Sequence, residues 1–310
     1  LDLYKRNKKL NMNFAVIEPF LHYIPTGKGW IEGLIKNGHK AIALPSGDYK
    51  LDNVKITDAD YIILMELPSK QSLEAFKQNN PDIKVILVGF NYDPTAVELK
   101  DYVDFWFELH YKHTFAEKLF QDNGIKLHLL PLGASEDIFK PLEQEKVFDL
   151  SFIGQFGKKG HGYREEDIYL YPLKELDLKG YYSGFDSFLA TRHTDLNTIY
   201  NLTKVNLNFH YPFQKYETEW LESRLDFNGR VFEIALSGNF QLCDLPHIVD
   251  YFEDGVTFTS KEDWKDTFNY YLHNTEAREE KAKLAREIAL EKHTWKSRMK
   301  EFLKIINIEN

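Results

Sequence analysis

The sequence predicts an α/β protein built as two units in series, each a parallel sheet covered by helices. Three observations carry that prediction. The 310 residues exceed what one ordinary core organises, so two domains of roughly 150 residues are expected. Short apolar runs alternate with helical stretches, the pattern of strands joined by crossover helices on both faces of a parallel sheet. The alternation stops once, at "PLGASEDIFKPLEQEK", where two prolines, a glycine and a charged run leave no sustained period, and then restarts.

In the first half, "FAVIEPF" reads as a strand, followed by the loop "LHYIPTGKG" and a helix whose Trp30, Ile31, Leu34 and Ile35 fall at helical spacing. Asn37-Gly38 stops that helix, and "KAIALP" is the next strand. Four more strands are expected in "ADYIILMEL", "IKVILVGF", "VDFWFEL" and "IKLHLLPL". The second half offers "VFDLSFIG", "LDLKGYY", "KVNLNFH", "GNFQLCD" and "GVTFTS", with helices between them. Two apolar helical stripes follow, Trp264, Phe268, Tyr271 and Leu272, then Trp295, Met299, Phe302, Leu303 and Ile306. The second stripe lies past the last strand and is expected to pack across both domains. The expected division is an N-terminal domain over residues 12–140, a C-terminal domain over 141–290 and a closing helix over 291–310. "PLGASEDIFKPLEQEK" reads as the interdomain linker.

A formal net charge of −9 argues against general nucleic-acid binding, because phosphate neutralisation needs a basic surface. The single cysteine, Cys243, permits no intrachain disulfide and fits a reducing, cytoplasmic compartment. It follows the apolar run of Phe240 to Leu242 and reads as a small buried side chain rather than a nucleophile. No apolar stretch approaches the ~18 to 20 residues that span a bilayer, and no signal-peptide pattern precedes the first strand.

Ligands of open parallel sheets bind beyond the carboxyl ends of the strands, so the loops there carry the candidates. In "IPTGKGW", Gly27 and Gly29 flank Lys28 at the start of a helix, where backbone N–H groups can meet an anion. The stretch matches neither G-x-G-x-x-G nor the P-loop, and a plain turn is the competing reading. In "GQFGKKGHGYREE", Lys158, Lys159, His161 and Arg164 cluster beside Gly154, Gly157, Gly160 and Gly162. Such a loop can grip a diphosphate, with arginine bidentate and lysine a point charge, or simply be solvated. In "VNLNFHYP", Asn206, Asn208 and His210 share one face by the period of two, although a lone histidine is more often structural.

"NGRVFEIALSGNFQL" raises the sharpest question, because it sets Arg230 and Glu233 three apart in an apolar helix. Asn228 is expected to cap that helix and Ser237-Gly238 to end it, which puts both charges on one face near its start. The carboxylate can accept from the two hydroxyls of a ribose, and the arginine can meet phosphate. A surface ion pair is the plain alternative.

Together these stretches resemble the glycosyltransferases related to the spore maturation protein CgeB, within the group-1 glycosyltransferases. The likeness runs from about Asp149 to Leu303 and is carried by "LNFHYP", the R-x-F-E-x(4)-G element of Arg230 to Gly238, "YFEDGVTFTSKEDWKDTFNYYLHN", and His293, Thr294 and Arg298. The first half is similar only in pattern, through "VGFNYDP" with its Asp93 and "LLPLGASEDIFKP".

The resemblance implies a GT-B architecture: two Rossmann-like domains facing a central cleft, with the closing helix packed across both. It implies a nucleotide-diphosphate sugar as donor in the C-terminal domain, with UDP favoured, and a glycan, lipid-linked or protein acceptor in the N-terminal one. Glu233 would bind the donor ribose and Arg230 the diphosphate region, with Gly154 and Gln155 near the phosphates. Gly27 and Gly29 would close on the β-phosphate. Lys158, Arg164, Asn208 and His210 join the expected donor site from their own loops. The likeness also implies retention at the anomeric carbon and no metal or other cofactor, with Lys158 and Arg230 stabilising charge on the leaving diphosphate. An inverting enzyme would need a general base, for which His22 and Asp93 are the candidates. Retaining relatives often show two glutamates separated by seven residues, but Leu225 stands eight before Glu233. The contact to the transferred sugar is therefore unassigned. A nucleotide-sugar epimerase or a non-catalytic nucleotide or sugar binder of the same fold would share these features.

Overall fold

A computed structural model describes residues 11–18, 26–45, 51, 55–56, 58–89, 93–109, 114–153, 178–183, 193–209, 228–260 and 262–308. The chain divides into two compact units. The described residues up to Leu109, those within Thr114–Pro131 and those from Arg298 onward form one, and those within Leu132–Ser297 form the other.

The first unit runs β1 (Asn13–Glu18), α1 (Thr26–Lys36), β2 (Lys40–Pro45), β3 (Tyr61–Leu64), α2 (Lys70–Asn79), β4 (Lys84–Val88), a 3₁₀ helix (Pro94–Leu99), β5 (Phe105–Glu108), α3 (Thr114–Asp122) and β6 (Leu127–Leu129). All its strand pairs are parallel, in the order β2-β1-β3-β4-β5-β6. Strands covered on both faces should read as continuous apolar runs, and β3 and β5 are buried at every position. Beneath one face Leu73 and Phe76 of α2 join Ile62, Val85, Leu87 and Trp106 in one cluster. Ser69 caps α2 by accepting from the Ser72 N–H. Gly38, at φ 87°, ends the turn after α1 in the left-handed region where only glycine is free of strain.

The second unit runs β7 (Phe148–Ile153), β8 (Gly180–Ser183), α4 (His193–Leu202), β9 (Thr203–Asn208), α5 (Arg230–Leu236), β10 (Gln241–Cys243), α6 (Ile248–Phe252), β11 (Thr257–Phe258), α7 (Trp264–His273) and α8 (Thr275–Lys292). Its parallel sheet has the order β11-β10-β9-β7-β8, so the chain reverses its winding between β7 and β9. The eleven strands of the described residues coincide with the eleven apolar runs marked in the sequence, with β1, β8 and β9 each reaching one residue beyond its run. One face of this sheet packs Leu150, Phe152, Val205, Leu207 and Leu242 against Trp264 and Phe268 of α7. The other meets α5, α6 and α8 through Val231, Phe232, Ile248, Phe252 and Ile288. Cys243 is fully buried there, and burial raises its thiol pKa far above the ordinary value.

The stretch expected to be a linker is more than that. From Leu132 it belongs to the second unit, and Phe139 is buried against Tyr200, with ring centroids 6.2 Å apart. The side-chain oxygens of Asn197 and Asn201 accept from the backbone N–H groups of Lys140 and Leu142 at 3.0 and 2.9 Å. A segment without periodicity is thereby pinned by side-chain amides in place of a ladder.

The last helix, α9 (Trp295–Ile308), begins among residues of the second unit and continues into the first. Phe302 is fully buried among Phe14, Trp30 and Phe107, with ring centroids 6.0, 5.0 and 5.2 Å away. Every residue of the predicted stripe Trp295, Met299, Phe302, Leu303 and Ile306 is buried. Among the described residues no helix is long and apolar enough to cross a membrane.

Candidate functional site

The order reverses between β7 and β9, and in open parallel sheets ligands bind beyond the carboxyl ends of the strands at such a reversal. The chain leaves β9 at Asn208 and enters α5 at Arg230, so α5 begins on that same side. The helix starts with Gly229 at the cap and no side-chain capping bond, which corrects the expected role of Asn228. Asn228 serves through its backbone carbonyl, which accepts from the Val231 N–H at 3.3 Å. Ser237 and Gly238, the latter at φ 69°, end the helix as expected.

Arg230 and Glu233 do not form the alternative surface ion pair, because Glu233 is only 4% exposed. Tyr200, fully buried on α4, donates its hydroxyl to Glu233 Oε2 at 3.1 Å. Among the described residues this is the one hydrogen bond that the carboxylate receives. Burial pushes the Glu233 carboxyl up to about 7, against the opposing pull of the Tyr200 hydroxyl and the Arg230 charge. The phenol of Tyr200 is raised well above its usual value by burial first and the Glu233 charge second. Arg230, half-buried, holds its guanidinium carbon 5.9 Å above the Phe152 ring.

A row of polar side chains crosses the buried sheet just beneath. Ser151, Asn206 and Gln241 are register partners on β7, β9 and β10. Ser151 Oγ donates to Asn206 Oδ1 at 2.7 Å, and Asn206 Nδ2 donates to the Phe240 carbonyl at 3.1 Å. Gln241 Nε2 donates to the Val231 carbonyl at 2.9 Å, which ties the first turn of α5 to the sheet. Asn208, two residues on from Asn206, donates to Gln241 Oε1 over a long 3.4 Å, while its own Oδ1 is buried with no hydrogen-bond partner among the described residues. A buried amide oxygen left so costs about 1–3 kcal/mol, a cost that a ligand donor removes.

Gly27 and Gly29 lie inside α1, both buried in its first turn, and not in a loop before it. The first four N–H groups of a helix need no intrahelical acceptor, so glycines are tolerated there and the turn remains able to face an anion. Asp93 caps the 3₁₀ helix, with Oδ1 accepting from the Thr95 N–H at 2.8 Å and its hydroxyl at 2.7 Å. His22, Gly154, Gln155, Lys158, Arg164 and His210, like Leu225, lie outside the described residues.

The sequence also carries an Asp-x-Asp triplet, Asp58-Ala59-Asp60, a pattern that elsewhere holds metal-bound diphosphates. Here it sits before β3 at the amino end of the sheet, and Asp60 Oδ2 accepts from the Asn13 N–H at 2.7 Å. That is the edge opposite the carboxyl ends, so the triplet sets the start of two strands. Among the described residues no three His, Cys, Asp or Glu side chains are placed to hold a metal ion.

Residues 136–304 match the family model described as "Glycosyl transferase-like", and the chain belongs to that family. Comparison with curated proteins gives no match. Among solved structures it is similar to a UDP-forming α,α-trehalose-phosphate synthase from Burkholderia xenovorans, with TM-score 0.60 and 8% identity over 97% of this chain and 100% of that one. It is also similar to Anabaena Alr3699/HepE, solved in complex with UDP-glucose, with TM-score 0.58 and 10% identity over 96% and 99% of the two chains. AviGT4, a glycosyltransferase of avilamycin A biosynthesis, aligns with TM-score 0.57 and 11% identity over 94% and 96%. At such identities the likeness establishes the fold, which is that of the GT-B glycosyltransferases.

Proposed function

We propose that this protein transfers a sugar from a nucleoside-diphosphate donor, most readily UDP, to a hydroxyl of a glycan, lipid-linked or protein acceptor. The observation that carries the reading is Glu233, a buried carboxylate at the winding reversal with one oxygen held by Tyr200. It lies within the family-matched residues. A ribose presents two adjacent hydroxyl donors to such a group, and the unsatisfied Asn208 Oδ1 supports a polar ligand close by. In this reading Arg230 meets the diphosphate, joined by Lys158, Arg164, Gly154, Gln155 and His210, while Gly27 and Gly29 serve the β-phosphate. The second unit then binds the donor and the first, with Asp93 and His22, the acceptor.

The leaning to UDP is supported by two structural neighbours whose descriptions carry UDP. Positive charge from Arg230 and Lys158 on the leaving diphosphate makes a metal unnecessary in this scheme. Retention of anomeric configuration, membership of the CgeB-like branch and action in the cytoplasm complete the proposal.

The test is a thermal-shift panel of UDP, GDP, ADP, CDP and dTDP against the wild type and Glu233→Ala. One diphosphate should stabilise the wild type, with affinity lowered by about 10–100-fold in the variant. Its sugar should then release free diphosphate only when an acceptor is added. Stabilisation by none would point to a scaffold, and conversion of the sugar without release of diphosphate would point to an epimerase.

A further inference from the structure

We infer that Tyr200 is a positioning residue for the nucleotide: its hydroxyl fastens Oε2 of Glu233 and so fixes the carboxylate, in one orientation, to receive the ribose through Oε1. The inference rests on the reading of Glu233 as the ribose ligand and adds what makes that glutamate competent.

The geometry supports it from three sides. Tyr200 is 1% exposed and its ring packs on Phe139, so the phenol has no freedom to swing away. The helix that carries it is pinned, because Asn197 and Asn201, three residues before and one after Tyr200, hold the backbone of Lys140 and Leu142. Glu233 is held from its own side, since the Val231 carbonyl two residues earlier is fastened by Gln241. Oε1 lies on the side of Gly229, where a Cβ on that glycine would be in ordinary van der Waals contact with it at 3.7 Å. The missing side chain at 229 therefore leaves backbone, and not a methyl group, beside the free oxygen.

A carboxyl accepts most strongly from two ribose hydroxyls when ionised, and the burial of Glu233 opposes that ionisation. The groups acting on it are few. Tyr200 faces it from α4, Arg230 from its own helix, and Cys243 of β10 shares the same core as a thiol. On α8, Arg286 is engaged at the far end of α5, where its Nε donates to the Leu236 carbonyl. Tyr200 is thus the single hydrogen-bond donor among the described residues that favours the charged form of Glu233. Removing its hydroxyl should do two things at once: release the orientation of the carboxylate and make its ionisation harder.

The experiment is calorimetric binding of UDP, or of whichever of GDP, ADP and CDP the protein binds, from about pH 5.5 to 8.5. It compares wild type, Tyr200→Phe, Glu233→Gln and the double variant. Wild-type affinity should rise with pH through about 7 as Glu233 ionises. Tyr200→Phe keeps the ring and should weaken binding about tenfold at neutral pH while moving that midpoint upward. Glu233→Gln should remove the step through about 7 and leave only the pH dependence that ionisation of the diphosphate itself gives, and adding Tyr200→Phe to it should change affinity by less than about twofold.

If Tyr200→Phe instead weakens binding equally in both backgrounds, with the midpoint unmoved, Tyr200 only packs and the inference falls while the ribose reading stands. If Glu233→Gln binds like the wild type at every pH, the ribose reading itself fails and takes the inference with it. Thermal melts of all four proteins separate either result from loss of folding.

Discussion

The sheet of the first unit fills its central strands with Val16, Ile62, Ile63, Val85, Ile86 and Leu87, all essentially without solvent contact. In the second unit the strands at the same structural level carry Ser151, Asn206, Asn208 and Gln241, equally buried. Both sheets are parallel and covered by helices, so the fold does not require the difference. Polar groups inside a sheet cost free energy unless they are bonded, and here each bond reaches a neighbour that frames the candidate site. The contrast teaches that the second sheet gives up some packing to hold α5, and Glu233 with it, at a fixed height above the strands. The first sheet bears its polar chemistry at the strand ends, as with the buried Glu108 at the end of β5.

The largest effect expected is from erasing that contrast in the first unit. Ile63→Asn places an amide between Val16 and Ile86 with no partner row, and should destabilise by about 4–5 kcal/mol in urea melts. A cost under about 1 kcal/mol would mean that the first sheet tolerates polar groups as readily as the second.

Next comes Glu233. Its carboxyl, near 7 in the folded protein and ordinary when unfolded, makes the folded form bind the extra proton between the two values. The contribution to stability is therefore full below the unfolded pKa and falls as pH rises through about 7, by about 3 kcal/mol in all. Urea melts at about pH 5 and 8 should show wild type losing about 2–3 kcal/mol more than Glu233→Gln over that range. Equal pH dependence in the two proteins would refute it.

Asn206→Leu follows, at about 1–2 kcal/mol, because it takes the acceptor from the buried Ser151 hydroxyl, while the Phe240 carbonyl keeps the Asn206 backbone N–H. If the variant is instead more stable, the polar row is maintained for the site alone, and nucleotide affinity should then drop. The smallest effect is on the surface: Lys118→Ala removes an exposed i,i+4 pair with Asp122 and should shift stability by less than about 0.5 kcal/mol.

Much of this was legible in the sequence because buried parallel strands are continuous apolar runs, and all eleven could be marked without knowing their order. The order itself was not legible, since β1 and β7 each sit between two strands that the apolar pattern does not tell apart. Arg230 and Glu233 stood out as charges inside an apolar helix. Tyr200 did not, because in "NTIYNL" it looks like one more core residue. The only available signal was that a buried phenol seeks a partner for its hydroxyl. Gly27 and Gly29 were read as a loop because glycine weakens helices through its backbone entropy, whereas burial in the first turn of α1 holds both of them helical. The Asp-x-Asp triplet makes the converse point: a motif acquires its meaning from the end of the strand on which it sits.

Phe302 has a consequence for synthesis on the ribosome. The strands of the first unit are translated before the second unit, yet the ring that fills the space between Phe14, Trp30 and Phe107 comes only after the whole of the second unit. Until then the nascent segment carries three large aromatic side chains with their common partner still unmade. The first unit is thus begun before the second and completed after it, and chaperone occupancy on it should persist until α9 clears the exit tunnel.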